Sequence, residues 1–224
     1  LEIHEQDREE RWNTMMEPGK GENEGELQEG MGAILHAGGT TFRVWAPHAD
    51  SVSVVGDFND WSAEAHPLSA EEDGYWATDV ESARPGDAYK YRIVNGEQTL
   101  ENIDPYAREV THSDGVGVIH DRAFDWGDGD PFEMVSWNEL VIYEMHVGTF
   151  HDEPGGEPGD FSSAIEKLPY LKDLGITAIE VMPPMEFPGD FSWGYNLSLP
   201  FSIESSYGGP DALKGVGNAA HDEG

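Results

Sequence analysis

The 224-residue chain carries 45 acidic against 12 basic residues, a net charge of −33, no cysteine, seven tryptophans and 38% hydrophobic residues. So acidic a balance argues against nucleic acid and anionic membranes as partners, and no apolar run approaches the roughly 18 residues a membrane span needs. The absence of cysteine excludes disulfides and thiolate metal sites, and the aromatic content is too high for a disordered acidic protein. The length suits one large domain or two of ordinary size.

The acids are scattered along the chain rather than blocked, which fits a halophile's surface solvated in molar salt. No Asp-x-Asp-x-Asp-Gly spacing points to a calcium loop, and no metal site or cofactor is expected. The opening LEIHEQDREERW has no basic start followed by an apolar stretch, so no signal peptide is legible and a cytoplasmic location is expected. Residues 1–30 are glycine-bearing and apolar-poor and read as an acidic tail or linker, with room for a short helix over 5–16.

Residues 31–120 change to short alternating strands. In TTFRVWA, Phe42, Val44 and Ala46 oppose Thr41, Arg43 and Trp45; in DSVSVVGDF, Val52 and Val54 share a face. In AYKYRIV, Tyr89, Tyr91 and Ile93 oppose Lys90 and Arg92, and the intervening APHAD, EEDG, RPGD and VNGE are dense in turn residues. Half-buried strands at this spacing predict an all-β, immunoglobulin-like antiparallel sandwich. Residues 121–137 have no period and several turn residues, and read as a linker between domains.

From 138 onward the texture is α/β. ELVIYEMHVGTF reads as a strand of a parallel sheet, with Glu144 and His146 on one face as a hydrogen-bonded structural pair. FSSAIEKLPYLKDLG reads as a helix capped by Ser162 or Ser163, with Ile165, Leu168, Leu171 and Leu174 on one side, a kink or restart at Pro169 and a stop at Gly175. The apolar run 176–182 suits a strand buried on both faces, ended by Pro183 and Pro184. A long loop with no clear period follows, to about Pro210, carrying Phe187, Phe191, Trp193, Tyr195, Phe201 and Tyr207. Most of these rings are expected to pack the loop on its own scaffold and one or two to meet a ligand, because such loops line the binding face of α/β sheets and barrels. A second helix begins near Pro210, weakened by Gly215 and Gly217.

GITAIEVMP, SWGYN and SSYGGPDALK, in that order, resemble the second strand, the following loop and the entry to the second barrel helix of the α-amylase superfamily, glycoside hydrolase family 13. The resemblance implies that residues 138–224 are the first two βα units of a (β/α)8 TIM barrel, an architecture of roughly 200 to 250 residues when complete. It also implies that Tyr195, with its neighbour Trp193, lines the subsite of the reacting glucose. FRVWAPHADSVSVVGDFNDW and AYKYRIVNG resemble a family-48 carbohydrate-binding module, which implies a stacking role for Trp61 and a hydroxyl-binding role for Lys90. The second stacking tryptophan of such modules is replaced by Gln98.

The family's chemistry is retaining, with a nucleophilic carboxylate and an acid/base carboxyl about 5 Å apart. The resemblance places these after the fourth and fifth barrel strands, beyond the segments matched, so no catalytic residue is assigned; Glu180, Glu186 and Asp190 match no catalytic position. YEMHVGTF and KLPYLKDLGITAIEVMP most resemble the branch that holds malto-oligosyltrehalose trehalohydrolases, followed by glycogen branching and debranching enzymes. The expected function is thus the N-terminal portion of an enzyme acting on α-glucan or maltooligosaccharide, of undetermined oligomeric state. The alternatives are a free-standing glucan-binding protein and an acidic interaction protein with no affinity for sugar.

Overall fold

In a computed structural model that describes residues 27–127, 132–152, 156–189 and 191–224, alternating side chains build the first half. The helix expected over 5–16, and Asp190, lie outside the described residues. Nine strands follow one another: β1 (Gly32–His36), β2 (Gly39–Trp45), β3 (Ser51–Gly56), β4 (Ser69–Ala70), β5 (Tyr75–Val80), β6 (Ala88–Asn95), β7 (Gln98–Asn102), β8 (Glu109–Val110) and β9 (Gly117–Val118). They pair antiparallel as two sheets, β1-β2-β5-β4 and β3-β6-β9-β8, with β7 also paired to β6.

Period-two alternation aims Phe42 and Val44 of one sheet at Val52, Val54, Tyr89 and Tyr91 of the other, in a single core. Phe42 meets Tyr89 edge-on at 5.1 Å, and Tyr89 meets Tyr91 at 6.1 Å. Each fully buried side chain of this size contributes about 1.5–3 kcal/mol by leaving water. The phenols carry hydroxyls inward that need partners. Tyr91 donates to the Arg43 carbonyl at 3.3 Å, and Tyr89 donates to Asp104 at 2.7 Å. Asp104 is fully buried and also accepts the Tyr106 amide at 2.9 Å. Its burial outweighs the two donors and pushes its carboxyl up to about 6.

The second half contains β10 (Ile142–Met145), α1 (Val147–Phe150), α2 (Phe161–Ile165), α3 (Leu168–Leu174), β11 (Ala178–Val181), β12 (Met185–Glu186), β13 (Leu199–Ile203), a 3-10 turn at Ser205–Tyr207 and α4 (Gly209–Glu223). Strands β10 and β11 are parallel, joined through α2 and α3, and the two βα units that the sequence predicts are present. Several local expectations change. The strand read through Phe150 stops at Met145, and α1 takes over. The cap of α2 is Asp160 rather than Ser162 or Ser163: its carboxylate accepts the Ser163 amide at 2.7 Å, while the Ser163 hydroxyl accepts the Asp160 amide at 2.9 Å. A carboxylate at a helix N-terminus also meets the positive end of the helix dipole.

The break anticipated at Pro169 separates α2 from α3, with the proline in the first turn, where its missing N–H costs nothing. Gly175, at φ +89°, closes α3 in the left-handed region. Helix α4 runs through Gly215 and Gly217 without interruption, because Val216 between them is buried against α2 and its neighbours. The paired strands were expected to be buried on both faces. The helices cover the side of Met145, but Ile142 remains 57% exposed, and Glu144 and Glu180 sit side by side in the register, both exposed.

The two halves touch along a seam. The Ser202 hydroxyl donates to the Ala107 carbonyl at 2.6 Å, and Leu199 packs with Ala107 and Val110. Phe201 stacks on Tyr106 at 5.0 Å and 16°. His120 bonds Glu109 at 2.9 Å through Nδ1 and accepts the Lys214 ammonium at 3.4 Å through Nε2. Residues 121–137, expected as linker, carry no strand or α-helix among the described residues; they touch α4 at two points, where Lys214 stands 5.3 Å over Phe124 and Phe132 stacks on His221.

Tyr89→Phe should separate packing from hydrogen bonding in the sandwich core. At pH 8 the Asp104 carboxylate is ionised and loses a donor, at a cost of about 1–3 kcal/mol. At pH 5 the carboxyl is protonated and the loss should be smaller. Urea midpoints at the two pH values measure the difference, and equal losses at both would refute the assignment.

Candidate functional site

Pro183 and Pro184 end the β11 ladder, and the chain then folds into a hairpin rather than the aperiodic loop expected. Strands β12 and β13 pair at Met185–Ile203 and Glu186–Leu199, with a register shift between the two pairs. A two-residue strand is too short for its alternation to be legible in sequence.

At the base of the hairpin two carboxylates are 1% exposed each. Glu186 accepts the Ser205 amide at 2.8 Å and its hydroxyl at 3.3 Å. Glu204 accepts the Phe187 amide at 3.1 Å, the Ser206 amide at 3.1 Å and the Ser206 hydroxyl at 2.7 Å. Burial pushes Glu186 up to about 7; the charge of Glu204 adds to this, while the Ser205 donors oppose it. Sequence reasoning set Glu186 aside as non-catalytic and did not find this pair. The signal was there, as two acids at either end of a ring-rich segment.

The six rings of the segment divide. Phe187 and Tyr207 are buried and meet edge-on at 5.8 Å, and burial raises the Tyr207 hydroxyl. Phe201 lies in the seam. Phe191, Trp193 and Tyr195 stand out, 68%, 71% and 69% exposed. His146 fastens their loop: its Nε2–H donates to the Ser192 carbonyl at 2.7 Å, which leaves Nδ1 to accept the Thr149 hydroxyl at 3.0 Å. The expected pair with Glu144 does not form, because the chain turns into α1 at His146 and takes the imidazole away from the strand face.

Ser192 bonds Asn196 across the turn and accepts the Gly194 amide at 3.1 Å. Gly194 has φ +83°, and a Cβ there would lie 2.1 Å from the Pro183 carbonyl oxygen. Only glycine lets the turn press on Pro183 with Trp193 and Tyr195 projecting on either side of it.

On the sandwich, Trp61 is 41% exposed at φ +59°. Its Nε1–H donates to Asp57 at 3.0 Å, and Asp57 in turn accepts the Ala88 amide at 2.9 Å. The indole is thereby tied to the start of β6, where Lys90 pairs with Val55. Lys90 borders a cavity of about 470 Å³ with Trp45, Asn102 and Asp114. Gln98 is exposed at the other end of β6, opposite Asn95, about 17 Å of extended strand from Lys90. The pair Trp193–Tyr195 and the pair Trp61–Lys90 thus lie on separate halves of the molecule.

Two family profiles match: "Carbohydrate-binding module 48 (Isoamylase N-terminal domain)" over residues 30–107, and "Alpha amylase, catalytic domain" over residues 119–224. The chain belongs to the α-amylase superfamily. Among curated relatives, the 1,4-alpha-glucan branching enzyme of Dechloromonas aromatica is 37% identical over 206 residues, covering 87% of this chain and 33% of that enzyme. The malto-oligosyltrehalose trehalohydrolase of Saccharolobus solfataricus is 35% identical over 190 residues, covering 85% of this chain and 32% of that protein. The crystal structure of a pullulanase from Anoxybacillus sp. LM18-11 complexed with maltotriose superposes with a TM-score of 0.70 at 28% identity, covering 87% of this chain and 33% of the pullulanase. The chain spans about a third of the length of these relatives. The matches place a carbohydrate-binding-module-48 sandwich ahead of the start of an alpha amylase catalytic domain in this chain.

Gly194→Ala should dislodge the loop of this family-13 chain. The left-handed conformation alone costs about 1–2 kcal/mol for a residue with a Cβ. The Trp193 indole resonance should move while those of the sandwich core stay in place. A spectrum superimposable on the parent's would refute the close approach to Pro183.

Proposed function

We propose that this chain forms the sugar-facing front of an enzyme acting on α-glucan, whether starch, glycogen or maltooligosaccharide, by retaining hydrolysis or transfer. The observation that carries this reading is the clasped loop beyond the carboxyl end of β11, which holds Trp193 and Tyr195 exposed on a buried base. A flat ring covers the C–H face of a pyranose while the rim hydroxyls stay in water. Trp61 and Lys90 form a second, weaker glucan surface on the sandwich. The reading divides the chain into a tail at 1–30, the sandwich at 31–120, a linker at 121–137 and the catalytic-domain start at 138–224. It expects a cytoplasmic setting, where stored glucan is turned over.

No carboxylate of this chain is assigned to bond cleavage. Glu186 is enclosed by the hairpin base, and Glu180 is an exposed strand residue beside Glu144. The 224-residue chain should bind glucan and release no reducing sugar from starch. A single stacked ring contributes about 0.5–1.5 kcal/mol beyond area burial, so millimolar affinity, about −4 kcal/mol, is expected.

Affinity electrophoresis in glycogen gels tests the assignment. The parent should be retarded, Trp193→Ala and Tyr195→Ala should each lose most of the retardation, and Trp61→Ala a smaller part. A parent that migrates freely would sink the proposal. Retardation abolished by Trp61→Ala alone would instead make the chain a glucan-binding protein working through its sandwich.

Halophilic adaptation is part of the same reading. It is supported by the net charge of −33 and by like charges such as Glu144 and Glu180 placed side by side. Raising KCl from 0.1 to 1 M shortens the screening length from about 10 to about 3 Å, so the urea midpoint should climb over that range. A flat or falling midpoint would remove this element.

A further inference from the structure

The loop that carries Trp193 and Tyr195 leaves the buried hairpin at Phe187 and returns to it at Leu199, and both crossings are governed by carboxylates. Glu186, on the outgoing arm, holds the amide and hydroxyl of Ser205; Glu204, on the returning arm, holds the amide of Phe187. Each acid thus binds the backbone beside the other, a reciprocal clasp in which neither carboxylate reaches the sugar-facing surface.

Two negative charges so enclosed oppose each other, and neither is paired with a lysine or arginine in the hydrogen bonds that hold it. The groups facing Glu186 are Ser205, Glu204 and, from the sandwich, His112, whose positive form favours the carboxylate. His112 is itself held by Asp114 at 2.6 Å. Glu204 is faced by the Phe187 and Ser206 amides, by the Ser206 hydroxyl and by Tyr207.

We propose that Glu186 and Glu204 are positioning residues whose reciprocal clasp holds while Glu186 keeps its proton, and that loss of this proton opens the base of the Trp193–Tyr195 loop. That this loop faces sugar rests on the function proposed above; the clasp itself does not. With Glu186 protonated, one negative charge faces the five N–H and O–H donors that Ser205, Phe187 and Ser206 supply to the two side chains. When the proton leaves for solvent, the second charge is stranded in a site that water does not reach, and the cheapest relief is separation of the two arms. The sign follows from burial: a carboxyl raised to about 7 contributes stability at low pH that fades as pH climbs from the ordinary glutamate range through 7.

Amide spectra of the ¹⁵N-labelled 224-residue chain between pH 5 and 9 test this. The Ser205, Phe187 and Ser206 amides should shift together with one midpoint near 7. Glu186→Gln should remove that transition from all three and keep the loop closed to pH 9. Glu204→Gln, which leaves Glu186 without its repelling neighbour, should move the Ser205 transition to lower pH. Should Glu186→Gln fail to fold, Ser205→Ala serves in its place: it keeps the amide, removes one donor to the carboxylate, and should raise the midpoint. Flat amides in the parent, or a Ser205 transition that Phe187 and Ser206 do not share, would overturn the proposal. Maltoheptaose separates it from the reading it rests on. Titrating amides with Trp193 unmoved by the sugar at every pH would leave the clasp standing and remove the subsite; a sugar-shifted Trp193 over flat amides would do the reverse.

Discussion

Strand β13 is held from two sides, and most of what the molecule presents depends on that. One edge pairs with β12 and closes the hairpin, while Ser202 reaches across to the Ala107 carbonyl and Leu199 enters the small cluster with Ala107 and Val110. A buried hydroxyl with no acceptor would cost about 1–3 kcal/mol, so the Ser202–Ala107 bond fixes the strand along its length as well as against its neighbour. The ring-bearing loop is thereby referred to the sandwich as well as to the barrel strands. The β-sandwich thus acts as a support for the hairpin strand to which that loop returns.

The parts legible in the sequence were those in which one residue's environment repeats. Period-two alternation placed Phe42, Val44, Tyr89 and Tyr91 in a common core, and the apolar strand, helix, strand order of the second half announced the βα units. What escaped were features set by single contacts. Asp160 outcompeted two serines as a cap because a carboxylate both accepts the amide and meets the helix dipole. The hairpin around Glu186 was too short to alternate, and the seam joins residues about 95 positions apart, a pairing no local pattern encodes. The SWGYN segment was singled out by resemblance, and the structure supplies its physical ground: Gly194 is pressed against Pro183.

Two of the scarce cations, Arg43 and Lys214, sit at joints between segments. Arg43 grips Glu71 through Nε and a terminal nitrogen at 2.8 and 3.0 Å, holding that carboxyl below the usual range, and donates to the Gly30 carbonyl at 3.0 Å. Lys214 touches Asp211, His120 and the Phe124 ring. In a chain of net charge −33, a cation that bridges two segments removes repulsion locally where screening by salt is least able to do so.

Lys214 carries a consequence for anyone recombining such proteins. It sits on helix α4, yet two of its partners, His120 and Phe124, follow the last sandwich strand in the chain. A chimera that took its sandwich from a relative and was spliced just after Phe124 would take His120 and Phe124 from one parent and Lys214 from the other. The splice point that respects the structure is set by which residues Lys214 touches, and compatible partners are those whose own helix offers a cation at that turn.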